Sequence, residues 1–173
     1  HARKTLATLP ENLQRLSREA YGARAVVHCL LLDKAPDVRN RQYMLLQETA
    51  DGNVFTLCEQ IAPDVDALLV TLRLPLIDLC LPSLKLLSIP QHTAFMKTVM
   101  AQIRADSHVS LFEWALYSLL RHHLNTGRKI HTAHARLDKL TSSCRIILSA
   151  LALATQPSTD EVSSAFERGW QCL

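Results

Sequence analysis

The sequence predicts an all-α fold, and three observations carry that prediction. Apolar residues recur three and four positions apart through most of the chain, the spacing of one helix face. No alternation of apolar and polar residues persists over the length of a strand. Only 4 of the 173 residues are glycine while 48% are hydrophobic, which favours packed helices over turn-rich sandwiches. Aromatic residues are few, so Leu, Val, Ile and Ala must fill the core. The length suits one domain. We expect residues 1–173 to form a single compact domain of about eight to ten helices. The chain starts at His1 rather than Met, so a fragment of a longer protein is expected, with residues 1–9 disordered.

The elements follow in order. PENLQRLSREA and ARAVVHCLLLD read as helices, and in the second Val26, Val27, Leu30 and Leu31 share one face. Pro36 suits the first turn of a third helix, and Asp51–Gly52 is expected to close it. VFTLCEQIA and DVDALLVTL read as two shorter helices on either side of Pro63. The segment 72–90 is apolar nearly all round and is placed at the centre of the domain. Pro75, Pro82 and Pro90 are each suited to opening a short helix within it. Its polar exceptions, Arg73 and Asp78, are expected to satisfy each other or nearby backbone groups.

QHTAFMKTVMAQIRAD reads as an amphipathic helix with Phe95, Met96, Val99, Met100 and Ile103 inward. Lys97, Gln102 and Arg104 are assigned to its outer face. The helix after it carries Phe112, Ala115, Leu116, Leu119 and Leu120 inward, and the two helices, about 90–104 and 110–124, are expected to pack as an antiparallel pair. A polar connection leads to a long helix with Leu137, Leu140, Cys144, Ile147 and Leu151 on one face. Its end, IILSALALA, is apolar all round and is expected to be buried. Ser158 and Glu161 have the spacing of a capping box for a last helix.

The elbow ADSHVSLFEW tests as a turn rather than a calcium loop. Counted from Asp106, the sixth position is Leu111 and the twelfth Tyr117, where a calcium loop needs Gly and Glu. Ser110 and Glu113 instead have the spacing of a capping box. His122, His123, His131 and His134 fall close together, and His131-x-x-His134 could present two ligands on one helix face. From 114 to 159 the only acidic residue is Asp138, and the chain has no H-E-x-x-H. These histidines read as solvated. There is no Gly-rich phosphate loop and no G-x-S-x-G nucleophile turn. We therefore expect no catalytic, cofactor-binding or metal residue in this chain.

The net charge of +3 gives no footprint for nucleic acid. It is unevenly spread: residues 121–145 hold six basic side chains against Asp138 alone, a balance of +5 against −2 elsewhere. Arg128, Lys129, Arg136 and Lys139 are the candidates for contact with an anionic membrane surface. The longest apolar run, 68–89, is interrupted by Arg73, Asp78, Lys85 and two prolines, and is no membrane span. Cys29, Cys58, Cys80, Cys144 and Cys172 are widely spaced, with no C-x-x-C, and read as buried free thiols of a reducing compartment. Which thiols meet is open in the sequence.

Three segments together, ARAVVHCLLLDKAPDVRNRQYMLL, LRLPLIDLCLPSLKLLS and IRADSHVSLFEWAL, resemble the soluble C-terminal region of bacterial membrane-bound zinc metallopeptidases of the HtpX-like, CAAX-prenyl-protease-like family. The resemblance covers residues 10–125. The third segment also resembles the helix elbow of TerB-like domains, where the pattern is A-D-G; here Ser107 replaces the glycine. The resemblance implies a parent protease whose H-E-x-x-H and zinc lie upstream, among transmembrane helices. It implies that this chain is a non-catalytic accessory or regulatory domain on the cytoplasmic side of the inner membrane. Its partners would be the parent's membrane and catalytic domains. A stand-alone helical interaction module is the alternative.

Overall fold

The computed structural model describes residues 8–106, 108–124, 141–155 and 159–171. Among them are nine α-helices and no strand, the all-α class that the sequence predicts. Where one domain was expected, the chain divides into two compact units, His1–Thr126 and Gly127–Leu173.

The first unit holds α1 (Glu11–Ser17), α2 (Ala20–Leu30), α3 (Pro36–Thr49), α4 (Gly52–Asp66), α5 (Val70–Leu84), α6 (Ile89–Ile103) and α7 (Leu111–Leu124). Its centre is α2, not the apolar segment 72–90. Every residue of α2 from Gly22 to Leu30 is buried, including Arg24 and His28, and α1, α4, α5 and α6 all pack on it. Gly22 allows the first of these contacts: a Cβ there would lie 2.3 Å from the Leu16 carbonyl oxygen. α5 buries Leu72, Leu76, Ile77, Cys80, Leu81 and Leu84 and leaves Val70 and Leu74 exposed. The core also takes in Leu9, inside the segment expected to be disordered.

The prolines do not divide helices as expected. Pro63 lies within α4, and Pro75 and Pro82 lie within α5. Each removes one intrahelical hydrogen bond. The carbonyls they free belong to Glu59, Thr71 and Asp78, all exposed residues, while Ile61, Val65, Leu76 and Leu81 hold both helices on the core. Asp51–Gly52 opens α4 rather than closing α3: Asp51 is the N-cap, and its side chain accepts from the Asn53 N–H at 3.1 Å. Pro36 begins α3 as expected.

At the elbow, α6 and α7 form as predicted and pack on each other, and α7 packs on α5 as well. Ser110 and Glu113 form the reciprocal cap. The Glu113 N–H donates to Ser110 Oγ at 3.2 Å, and the Ser110 N–H donates to Glu113 Oε2 at 2.7 Å. The His108 N–H donates to Asp106 Oδ1 at 3.0 Å, a side-chain turn that redirects the backbone between the helices. Ser107 lies outside the described residues.

The second unit holds α8 (Thr141–Thr155) and α9 (Thr159–Trp170), which pack together. Phe166 stacks on Trp170 with ring centroids 6.0 Å apart, and the Arg145 guanidinium lies 5.7 Å from the Trp170 ring centre. The apolar end of α8 is not buried as expected: Ile146 is 70% exposed and Leu153 67%. Two packed helices cover only a narrow stripe of each other, and Ala152 is the buried apolar residue of α8 among the described residues. Leu137, Leu140 and Ser158 lie outside the described residues. Among the described residues no helix is long and apolar enough to cross a membrane.

Candidate functional site

The candidate site grows from the polar residues of α2. Arg24 and His28 are one helical turn apart and so share a face. In most cores that face would be apolar; here it carries a cation and an imidazole that are 6% and 2% exposed.

His28 is committed to structure. Its Nδ1 lies 2.6 Å from Gln102 Oε1, which only accepts, so Nδ1 carries the proton and donates. The Gln102 amide nitrogen donates back to the His28 carbonyl at 3.4 Å. Burial pushes the imidazole down to about 4, against the opposing pull of the Gln102 bond and with the Arg24 charge adding to the fall. His28 is therefore neutral at pH 7. Its ring meets Phe95 edge to face, with centroids 5.3 Å apart.

Gln42 extends this network. It donates to Leu31 O at 2.9 Å and to Gln102 O at 3.3 Å, and accepts from the Asp33 N–H at 2.8 Å. It thus satisfies backbone groups at the ends of α2 and α6 that would otherwise be buried without partners. The sequence reading assigned Gln102 to the outer face of α6. It is 1% exposed. The signal was present, because position 102 is seven residues after Phe95 and falls on the same stripe.

Arg24 is different. Its Nε donates to the Ala20 carbonyl at 3.2 Å and its guanidinium lies 4.8 Å from the Tyr21 ring centre. Its Nη2 is buried without a hydrogen-bond partner. Arg24 and His28 line a cavity of about 290 Å³. The first turn of α4 contributes Val54 and its cap Asp51, and the first two turns of α6 contribute Pro90, Gln91 and Ala94. Thr49, Ala50, Phe95 and Thr98 complete the wall. Two helix N-termini, each with its positive end of the backbone dipole, therefore border the cavity beside the arginine.

A second cavity of about 310 Å³ lies at the elbow, beside Arg73, Asp66, Asp106 and Glu113. Its carboxylates already have work. Asp66 holds Arg39 at 2.6 Å, Asp106 turns the elbow and Glu113 caps α7. Arg73 and Asp78 do not pair, and the Arg73 Nε is buried without a hydrogen-bond partner among the described residues rather than satisfied by nearby backbone as expected. Arg73 lies over the Phe112 ring at 5.5 Å, and Asp78 is exposed.

His122 and His123 are exposed and meet edge to face at 5.1 Å. His131, His134, Arg128, Lys129, Arg136 and Lys139 lie outside the described residues. Among the described residues no group of three or more His, Cys, Asp or Glu is placed to hold a metal. Cys29 and Cys58 meet in the core with sulfurs 2.8 Å apart, both as free thiols. Burial and the Cys58 contact push the Cys29 thiol well above its usual range, and burial pushes Cys80 up to about 12. Both are poor nucleophiles. No family model, curated protein or solved structure matches the chain.

Proposed function

We propose that this chain is a non-catalytic helical accessory domain of a membrane-bound zinc metallopeptidase, acting by binding rather than by chemistry. The observation that supports the reading is where its three family-like segments fall. They contribute to α2 with α3, α5, and the α6–α7 elbow, five of the seven helices of the first unit, and the resemblance over residues 10–125 stops one residue before that unit ends at Thr126. In this reading the zinc and its H-E-x-x-H belong to the parent's catalytic domain. Arg128, Lys129, Arg136 and Lys139 face the anionic inner surface of the membrane, each contributing roughly 1 kcal/mol when close to it. The polar core side chains His28, Gln42 and Gln102 serve the fold, which suits a domain that presents surfaces and a pocket.

The reading is tested with the pure chain and with its full-length reading frame. The chain alone should leave casein intact with and without zinc, and the full frame should encode an H-E-x-x-H between apolar spans. Zinc-dependent cleavage lost on changing His131 or His134, or a full frame without that motif, overturns it. For the membrane contact, the chain should sediment with anionic vesicles at low salt. It should be released as salt screens the charges over about 10 Å at 0.1 M. Changing the four basic residues together to Gln should abolish this; equal binding by that variant removes the membrane surface as a partner.

A further inference from the structure

We infer that the Arg24 cavity is a binding site for a small organic carboxylate, its charged head on the guanidinium and its short chain against Val54, Ala94 and Phe95. The inference rests on the first unit alone and does not depend on the parent protein.

A cation as buried as Arg24 ordinarily has an anionic partner, because removing a charge from water unpaired is expensive. Among the described residues no carboxylate reaches ion-pair distance of it. Asp51 lines the same cavity, but it is exposed and its side chain caps α4. Nε already bonds the Ala20 carbonyl and Nη2 is enclosed with no acceptor among the described residues, so the charge of the guanidinium is left unbalanced beside the cavity it lines. The positive ends of α4 and α6 add partial charge of the same sign. Their caps already occupy part of their N–H groups, so the arginine is the principal donor.

The rest of the cavity sets the ligand class. Neutral His28 adds no charge, so Arg24 is the one full cation of the wall, with the Asp51 carboxylate at the rim. The carboxylate of Asp51 at the rim disfavours a dianion such as phosphate. Val54, Ala94, Phe95 and Pro90 present apolar wall. Sites for drug-sized molecules run from roughly 300 to 1,000 Å³, and about 290 Å³ suits a ligand of a few heavy atoms.

The test is calorimetric titration of the whole chain with butyrate, acetate and inorganic phosphate at constant ionic strength. Butyrate should bind about tenfold more tightly than acetate, because two further methylenes leave water. Phosphate should bind more weakly than butyrate. Arg24→Gln should weaken butyrate by about tenfold or more, through loss of the charge-assisted pair. Ala94→Leu keeps the arginine, fills the cavity and should abolish butyrate binding, and it decides the matter if Arg24→Gln does not fold. No butyrate binding by the parent chain overturns the site. So does unchanged binding in Ala94→Leu or in a folded Arg24→Gln. Phosphate binding tighter than butyrate overturns the carboxylate assignment. None of these outcomes bears on the peptidase reading, which has its own tests.

Discussion

Helices α5 and α8 look alike in sequence and differ in what becomes of their apolar residues. α5 buries Leu76, Ile77 and Cys80 completely, because α1, α2 and α7 pack around it. α8 packs on α9, and Ile146, Ile147, Leu151 and Leu153 remain exposed. Apolar content alone therefore does not place a helix inside. Burial needs partner surfaces on several sides, and among the described residues the first unit supplies them with seven helices where the second has two. The same contrast holds for polar groups. In the first unit Gln42, Gln102 and His28 are buried and tied to one another or to helix ends, whereas the Arg145–Trp170 contact in the second lies near the surface.

The largest expected effect comes from testing burial directly. Leu76→Ala should lower stability by about 2–5 kcal/mol in urea unfolding, since its cavity cannot collapse easily. Ile146→Ala should stay within about 0.5 kcal/mol, as for exposed sites generally. An equal loss at both positions would mean that the exposed face of α8 is covered in solution.

The pH dependence sharpens the polar half of the comparison. His28 is lowered from 6.5 to about 4 in the folded chain. Below 6.5 the unfolded chain takes up a proton that the folded chain refuses, so this contribution is fully present above 6.5 and is lost as pH falls towards 4. The loss is about 3 kcal/mol at most. Chemical unfolding between pH 7 and pH 4 should show it, and His28→Gln should flatten that part of the profile. A profile unchanged by the substitution would remove His28 as the titrating group.

Glycines give the next contrast. A Cβ at Gly22 meets backbone of α1, which cannot move without shifting a helix. A Cβ at Gly169 meets Leu148 Cδ2 at 2.9 Å, the flexible end of a side chain. Gly22→Ala should therefore destabilise by about 1–3 kcal/mol, and Gly169→Ala by less, by thermal unfolding. The last contrast is at the elbow. Ser110→Ala should cost about 1 kcal/mol through loss of the cap, with no calcium-dependent change in Tm. A calcium-dependent rise in Tm lost on changing Asp106 would restore the metal-loop reading.

Much of the fold was legible because helices announce themselves locally. Apolar spacing marked α2, α6 and α7, and Ser110–Glu113 and Pro36 marked helix starts. The errors came where local signals compete with packing. Pro63, Pro75 and Pro82 read as breaks, yet a helix held on the core by five or more buried side chains tolerates a missing hydrogen bond. Gln102 read as an outward residue because it is polar, although its spacing was that of the core.

The sequence by itself determined the helical class, helix starts such as those at Pro36 and Ser110, and the apolar stripes of α2, α6 and α7, since each depends on residues within a turn or two of one another. Only the tertiary structure decided that α2 is the central helix, that Gln42 and Gln102 close its polar groups, and that Arg24 borders a cavity with no described carboxylate in ion-pair reach. These depend on pairs as far apart as His28 and Gln102, 74 residues along the chain. Nothing in local spacing encodes such a meeting; it follows from which helix faces come together when the whole apolar surface leaves water.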